Sequence, residues 1–158
     1  ATSYFSGLLK IEGDNIELFN QSNTGPNGLE SLVLTPPNPA YIDVRVNSPA
    51  FDRDGNLWMT NVANSGTIKA IKTLKANGQW QSYSVEDVTT DTFGRYGPMA
   101  IDRNKTKWIP SINDGLIAFN ENYNNNNEKK LGRSSANEKI FRLNWTTFSR
   151  ACLFNTER

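Results

Sequence analysis

Apolar and polar side chains alternate over short stretches of the chain, and turn-forming dipeptides separate those stretches. Between Pro49 and Val85 this pattern predicts four strands that are joined by turns at 54–55, 64–66 and 77–78. Asp-Gly at the first of these turns and Asn-Gly at the last are typical of hairpins between antiparallel strands. The segment is therefore predicted to form a meander of four short antiparallel strands.

The same order of features recurs along the chain. Segment 50–61 matches segment 100–111 at a constant offset of 50 residues, which pairs Asp52 with Asp102 and Trp58 with Trp108. A small turn followed by an apolar strand recurs at 6–11, 65–71 and 114–119. Two large apolar residues spaced three apart recur at 16–19, 80–83 and 145–148. Four strands in a repeat of about 40 to 50 residues predict the blades of a β-propeller.

The predicted fold class is all-β, a β-propeller-type array of four-stranded antiparallel blades that holds about two and a half blades. One partial propeller domain is predicted over 1–149, followed by a tail at 150–158, with part of a blade at 6–20 and blades at 49–85 and 99–149. The last blade carries an insertion at 121–139, whose four consecutive asparagines at 124–127 predict a polar loop that does not order itself.

Two further segments receive a prediction. The connection at 21–46, rich in Asn, Gly and Pro, predicts a surface excursion with a brief strand at 41–46. At the end of the insertion, residues 135–138 fit a helix capping box, which allows a helix in the last part of the domain. The alternative is a strand that places three apolar residues on one side, Phe141, Leu143 and Trp145. The recurring aromatic spacing favours the strand.

The amino-acid composition excludes several kinds of partner and site. Lys and Arg number 17 against 16 Asp and Glu, and this balance does not indicate a nucleic-acid partner. The absence of His excludes His-ligated metal sites and His-based catalysis, and the single Cys excludes an internal disulfide. No apolar run reaches the roughly 18 residues of a spanning helix, so no direct membrane insertion is expected. We expect no cofactor.

Neighbouring acidic residues could form a calcium site or a catalytic pair of carboxylates, but we predict neither. Residues 52–56 resemble the start of a calcium loop, but Ala63 stands where the closing carboxylate belongs, which favours a hairpin turn. Nearby carboxylates at 52 and 54, and at 86, 87 and 91, could serve a glycosidase only if a pair faced a pocket. We therefore predict no metal site and no catalytic residue.

The ligand-binding prediction rests on four residues. Trp80 and Trp145 lie in predicted fourth strands at the blade rim, where half-exposed indoles could stack on a sugar, although packing is the favoured alternative. Arg95 and Tyr96 belong to a loop before the last blade that combines a cation, an aromatic ring and glycine. Trp58 and Trp108, within second strands, are instead predicted to pack between blades.

The string FDRDGNLWMTN, followed by a Ser-Gly turn and the strand NGQWQSYS, resembles the blade repeat of two-component regulator propellers. These are periplasmic sensor propellers of hybrid sensor kinases, abundant in Bacteroidetes, and similar blades occur in a propeller protein of the type IX secretion system. Asp52, Gly55 and Trp58 match the blade motif, whereas Lys105 stands where the last blade should have glycine.

The resemblance implies a non-catalytic ligand-sensing or protein-interaction module of an extracytoplasmic sensor, in the periplasm or cell envelope of a Gram-negative bacterium. The alternatives are a propeller-type polysaccharide lyase or hydrolase and a component of a secretion system. Two and a half blades would leave open sheet edges and faces. We therefore expect self-association, as a homodimer or homotrimer, or completion by the remainder of a longer propeller. The expected ligand is a glycan or small molecule.

Overall fold

A computed structural model describes residues 1–3, 5–32, 41–62, 69–85, 89, 96–112, 115–122 and 139–143, the last range by its backbone alone. This described part of the chain is all-β. Its strands are β1 (Thr2–Ser3), β2 (Gly7–Glu12), β3 (Asn15–Phe19), β4 (Arg45–Phe51), β5 (Leu57–Val62), β6 (Ile71–Leu74), β7 (Trp80–Tyr83), β8 (Ala100–Ile101), β9 (Lys107–Ser111), β10 (Gly115–Asn120) and β11 (Lys139–Leu143).

The strands form three antiparallel meanders in chain order. The first sheet contains β1 to β3, the second contains β4 to β7, and the third contains β8 to β11. The predicted turns at 54–55 and 77–78 join their strands, with Gly55 and Gly78 at φ +80° and +85°, a backbone region that glycine enters without steric cost. The all-β prediction is confirmed, and the predicted turn at 64–66 lies outside the described residues.

Strand β4 departs from the prediction. It begins at Arg45 and joins two stretches that the sequence separates, the brief strand at 41–46 and the first blade strand at Ala50. The register shifts between Asn47 and Ala50, where Ser48 adopts φ +50°. This bulge accommodates Pro49, which cannot donate to a regular ladder. A proline therefore interrupts the pattern of β4 without ending the strand.

The tail and the amino terminus add two more observations. The strand interpretation is confirmed over Lys139–Leu143, which pairs with β10, whereas most of the insertion predicted at 121–139 lies outside the described residues. The first sheet also contains β1, a two-residue strand that the sequence pattern does not predict.

The second sheet is buried on both faces, which explains the continuous burial of Trp58–Asn61 in β5. Its tryptophan face, defined by Trp58, Ile71 and Tyr83, packs against the third sheet. Its methionine face, defined by Leu57, Met59 and Trp80, packs against the first sheet. Two apolar clusters therefore hold three sheets in a stack, with the second sheet in the middle.

Aromatic rings dominate the cluster between the second and third sheets. The ring of Trp58 lies 5.7 Å from that of Tyr83 and 6.0 Å from that of Phe119, and Tyr83 and Phe119 are 4.8 Å apart. Such pairs contribute about 0.5–1.5 kcal/mol each beyond the burial of their area. Trp58 therefore packs between two sheets, as predicted, whereas Trp108 is only half-buried.

No helix that could cross a bilayer is present among the described residues.

Candidate functional site

An open cleft of about 800 Å³ lies at one end of the second sheet. A loop at 24–27, the turn at Asn56 and the hairpin between β6 and β7 form its walls. The residues that line it are Thr24, Pro26, Asn27, Asn56, Lys75, Ala76, Asn77, Gln79, Trp80 and Gln81. Trp80 therefore reaches a site of a size that suits a small ligand.

Hydrogen bonds within the loop shape the first wall. The hydroxyl of Thr24 donates to the carbonyl of Asn20 at 2.7 Å and accepts the backbone N–H of Leu29 at 2.8 Å. Gly28 passes so close to Thr24 that a Cβ atom at that position would overlap its side chain. The sequence Thr-Gly-Pro-Asn-Gly thus closes a compact loop and leaves Asn27 exposed at its tip.

The hairpin between β6 and β7 forms the opposite wall. The N–H of Lys75 donates to the carbonyl of Gln79 at 2.8 Å, and the N–H of Gly78 donates to the carbonyl of Lys75 at 2.9 Å. The side-chain carbonyl of Asn56 accepts the N–H of Ala76 at 3.1 Å. This last bond joins the hairpin to the preceding turn, so the two parts of the wall are held together.

Trp80 connects the cleft to the core. Its ring meets that of Phe19 edge to face, with centroids 5.9 Å apart, and it packs with the cluster under the methionine face. The remainder of the indole lies in the wall of the cleft. The aromatic surface that a ligand would meet is therefore fixed by packing in advance of binding.

The lining offers neutral polar contacts. Asn27 and Gln81 are exposed and present side-chain amides, which donate and accept hydrogen bonds. Lys75 is the one ionised residue among the described lining residues, but its ammonium lies on the tryptophan face of the sheet, 5.2 Å from the centroid of the Trp58 ring. The cleft therefore suits a neutral polar molecule.

Among the other predicted ligand residues, Tyr96 does not join this cleft. Tyr96 is 5% exposed and packs in the cluster between the second and third sheets, beside Met99 and Ile109. Arg95 and Trp145 lie outside the described residues. The contribution of the loop at 24–27 was missed, because the sequence shows only a polar connection there and not its position beside β7.

The Asp and Trp residues that recur at an offset of 50 form a hydrogen-bonded pair in each repeat, which we call the Asp–Trp unit. In the second sheet, Asp52 accepts the N–H groups of Asp54 and Asn56 at 2.9 Å each and the indole N–H of Trp58 at 2.7 Å. The side-chain amide of Asn56 also donates to it, at 2.9 Å. These donors occupy the carboxylate, and the segment forms the predicted hairpin turn.

The third sheet repeats the same unit. Asp102 accepts the N–H groups of Asn104 and Thr106 at 2.8 and 2.9 Å, and the indole N–H of Trp108 at 3.0 Å. The spacing of Asp and Trp in the sequence is therefore the spacing that lets one carboxylate close a turn and hold the indole of the next strand.

In the third sheet, Lys105 occupies the turn position that Gly55 takes in the second sheet. It adopts φ +64°, a left-handed conformation that costs a residue with a Cβ about 1 kcal/mol. Its ammonium donates to the carboxylate of Asp54, which raises the pKa of Lys105 through that hydrogen bond. The lysine thus connects the turn of the third sheet to the equivalent turn of the second.

Hydrogen bonding makes Asp52 unusually acidic. Burial alone would raise its pKa, but the bonds from Asn56, Trp58 and the turn backbone outweigh burial and lower the pKa to about 2. The pKa of Asp102 is lowered by the equivalent donors against the same opposing effect of burial. Both carboxylates are therefore ionised and fully engaged at neutral pH.

Acid should remove this contribution to stability. A carboxyl whose pKa is lower in the folded chain stabilises that state above about pH 4, and the effect disappears as the pH falls toward the folded pKa of about 2. We expect the free energy of unfolding to fall by about 2 kcal/mol over this range through Asp52 alone. Urea unfolding at several pH values should show a smaller fall in Asp52→Asn, and parallel curves would contradict the assignment.

Two buried lysines belong to the sheet packing. Lys72 pairs with Glu30 at 2.6 Å, and Lys107 pairs with Glu121 while its ammonium lies 3.6 Å from the centroid of the Trp58 ring. Burial lowers the pKa of each lysine, and the paired carboxylate opposes that effect. Among the described residues, no group of three or more acidic or Cys side chains could hold a metal ion.

Comparisons with known protein families, with curated proteins and with solved structures find no match to this chain.

Proposed function

We propose that this chain is a non-catalytic ligand-binding module whose sheets are arranged as in a propeller, and that its ligand is a carbohydrate held in the cleft at Trp80. The cleft carries the proposal, since it combines a fixed indole with exposed side-chain amides. Its volume lies in the range of small-molecule sites, and most of its lining residues are polar, which suits a hydroxyl-rich ligand.

The repeated packing supports the propeller arrangement. Each complete meander has four strands in chain order, and the two Asp–Trp units lie at equivalent places in the second and third sheets. Repeated four-stranded sheets packed face to face are the unit from which propellers are built. The resemblance to two-component regulator propellers agrees with this arrangement and favours a sensor domain in the periplasm or cell envelope.

Sugar chemistry fits the lining of the cleft. Side-chain amides such as those of Asn27 and Gln81 match the paired donors and acceptors of sugar hydroxyls. The indole of Trp80 offers apolar surface to the C–H groups of a sugar ring.

Isothermal titration with maltotriose and with trigalacturonate tests the proposal. We expect one site per chain and a Kd of about 1 mM or tighter for maltotriose, with no tighter binding for the acidic sugar. Gln81→Ala should weaken both ligands about fivefold, the value of one hydrogen bond of about 1 kcal/mol. Lys75→Met should leave both ligands unchanged, because the Lys75 ammonium lies at the Trp58 ring on the other face of the sheet.

Asn104→Ala is the matched control, since it removes an exposed side-chain amide in the third sheet and away from the cleft. It should bind both sugars as the natural chain does. Binding that is absent, or equally weakened by the control, would overturn the carbohydrate proposal. Release of shortened or unsaturated sugar products during the titration would instead favour the lyase or hydrolase alternative.

A further inference from the structure

The stack of three sheets ends on an apolar face at each side. On the first sheet, register places Leu9 opposite Leu18 and Ile11 opposite Ile16, on the face that points away from the second sheet. We call these four residues the isoleucine face. Ile11 and Ile16 are 57% and 69% exposed, although an isoleucine in a sheet normally packs against another layer.

The third sheet ends on a comparable surface. Register places Ala100 and Ala118 beside Trp108, and Pro110 opposite Leu116, on the face that points away from the second sheet. We call these five residues the Trp108 face. In the described part of the chain no further sheet covers either this surface or the isoleucine face.

The sequence repeat indicates which surface each end face is suited to pack against. Trp108 is the counterpart of Trp58, and Trp58 packs on the face of the third sheet that contains Ile117 and Phe119. The strands 7–11 and 115–119 align in the second repeat, so that Leu9 and Ile11 are the counterparts of Ile117 and Phe119. The isoleucine face is therefore the same kind of surface that covers Trp58 inside the molecule.

From this correspondence we propose that a second copy of the chain docks head to tail, with its isoleucine face on the Trp108 face of the first. The contact would continue the stack by repeating an interface that each chain already contains between its second and third sheets. Two identical contacts of this kind close a ring of two chains. The ring would hold six sheets, within the range of about four to eight blades in known propellers.

The number of copies rests on the propeller arrangement proposed above, whereas the pairing of the two faces rests only on the repeat. Failure of sugar binding at Trp80 would therefore leave this inference untouched. Equally, a chain that stays monomeric could still bind maltotriose, because the cleft is formed within one chain.

Complementation of two variants tests the head-to-tail contact. Ile16→Glu places a carboxylate on the isoleucine face, and Pro110→Glu places one on the Trp108 face, both at exposed positions. Light scattering after size-exclusion chromatography should show the natural chain as a dimer and each variant alone as a monomer. An equimolar mixture should recover a dimer held by one intact contact, at a higher protein concentration than the natural chain needs, because each variant retains the face that the other has lost.

Phe51→Glu is the matched control, since Phe51 is 72% exposed and belongs to the second sheet instead of an end face. It should remain dimeric, and circular dichroism should show that all three variants keep their strands. A natural chain that is monomeric throughout a dilution series would overturn the proposal. So would a Pro110→Glu variant that still dimerises, a mixture that stays monomeric, or an open-ended series of larger masses.

Discussion

Replacing Asp52 with alanine should lower the free energy of unfolding by about 3 kcal/mol. The carboxylate of Asp52 holds the turn at Asp54 and Asn56 and accepts the indole N–H of Trp58, which is fully buried. In Asp52→Ala that N–H loses its acceptor in a site that water does not reach. An unpaired buried donor costs about 1–3 kcal/mol, and the turn loses its remaining bonds as well.

The repeat supplies a matched control for this experiment. Asp102→Ala removes the equivalent carboxylate in the third sheet, but Trp108 is only half-buried, so water can replace the lost acceptor. We expect a loss of about 1 kcal/mol. Urea unfolding followed by tryptophan fluorescence measures both values. Equal losses in the two variants would contradict the importance of burial at Trp58.

The second large effect is expected at the buried ion pair between the second and third sheets. Glu121→Gln leaves the ammonium of Lys107, which is fully buried, without its carboxylate. Breaking one side of a buried pair costs about 3–5 kcal/mol, because a desolvated charge remains. The contact of Lys107 with the Trp58 ring offsets part of this cost, so we expect a loss of about 3 kcal/mol.

Lys107→Met should cost less than Glu121→Gln. Methionine fills a similar volume above the Trp58 ring and leaves no buried charge, while Glu121 becomes free to turn toward solvent. Glu12→Gln is the surface control, since Glu12 pairs with Lys10 at 3.0 Å where both side chains are exposed, and it should change stability by less than about 0.5 kcal/mol. A Lys107→Met variant less stable than Glu121→Gln would show that the pair is net stabilising and would refute this ordering.

Local sequence patterns predicted the sheets well because hairpin turns are local. The turns at Gly55 and Gly78 and the strands beside them depend on dipeptides that adopt left-handed backbone angles, and the structure places them as predicted. Strand β4 was divided in the prediction, because Pro49 normally ends a strand and a bulge is not visible in the pattern.

The candidate site could be predicted only in part. Trp80 was among the predicted ligand residues because the repeat places it in a fourth strand, but the loop at 24–27, which shares the cleft with it, comes from a distant part of the sequence. Tyr96 was predicted as a ligand residue because its loop combines an aromatic ring with a charge. Its ring is instead buried in the core, and the composition of a loop does not show this. The hydrogen bond that the Trp58 indole N–H donates to Asp52 was also missed, although the offset repeat contained both residues.

The indole region of a nitrogen–proton correlation spectrum tests the binding function most directly. The chain has 4 Trp residues, and Trp58 and Trp108 donate their indole N–H groups to carboxylates. Titration with maltotriose should shift the Trp80 indole signal, assigned with Trp80→Phe, and leave those of Trp58 and Trp108 in place. A Trp80 signal that does not move at saturating sugar would contradict a carbohydrate site in this cleft.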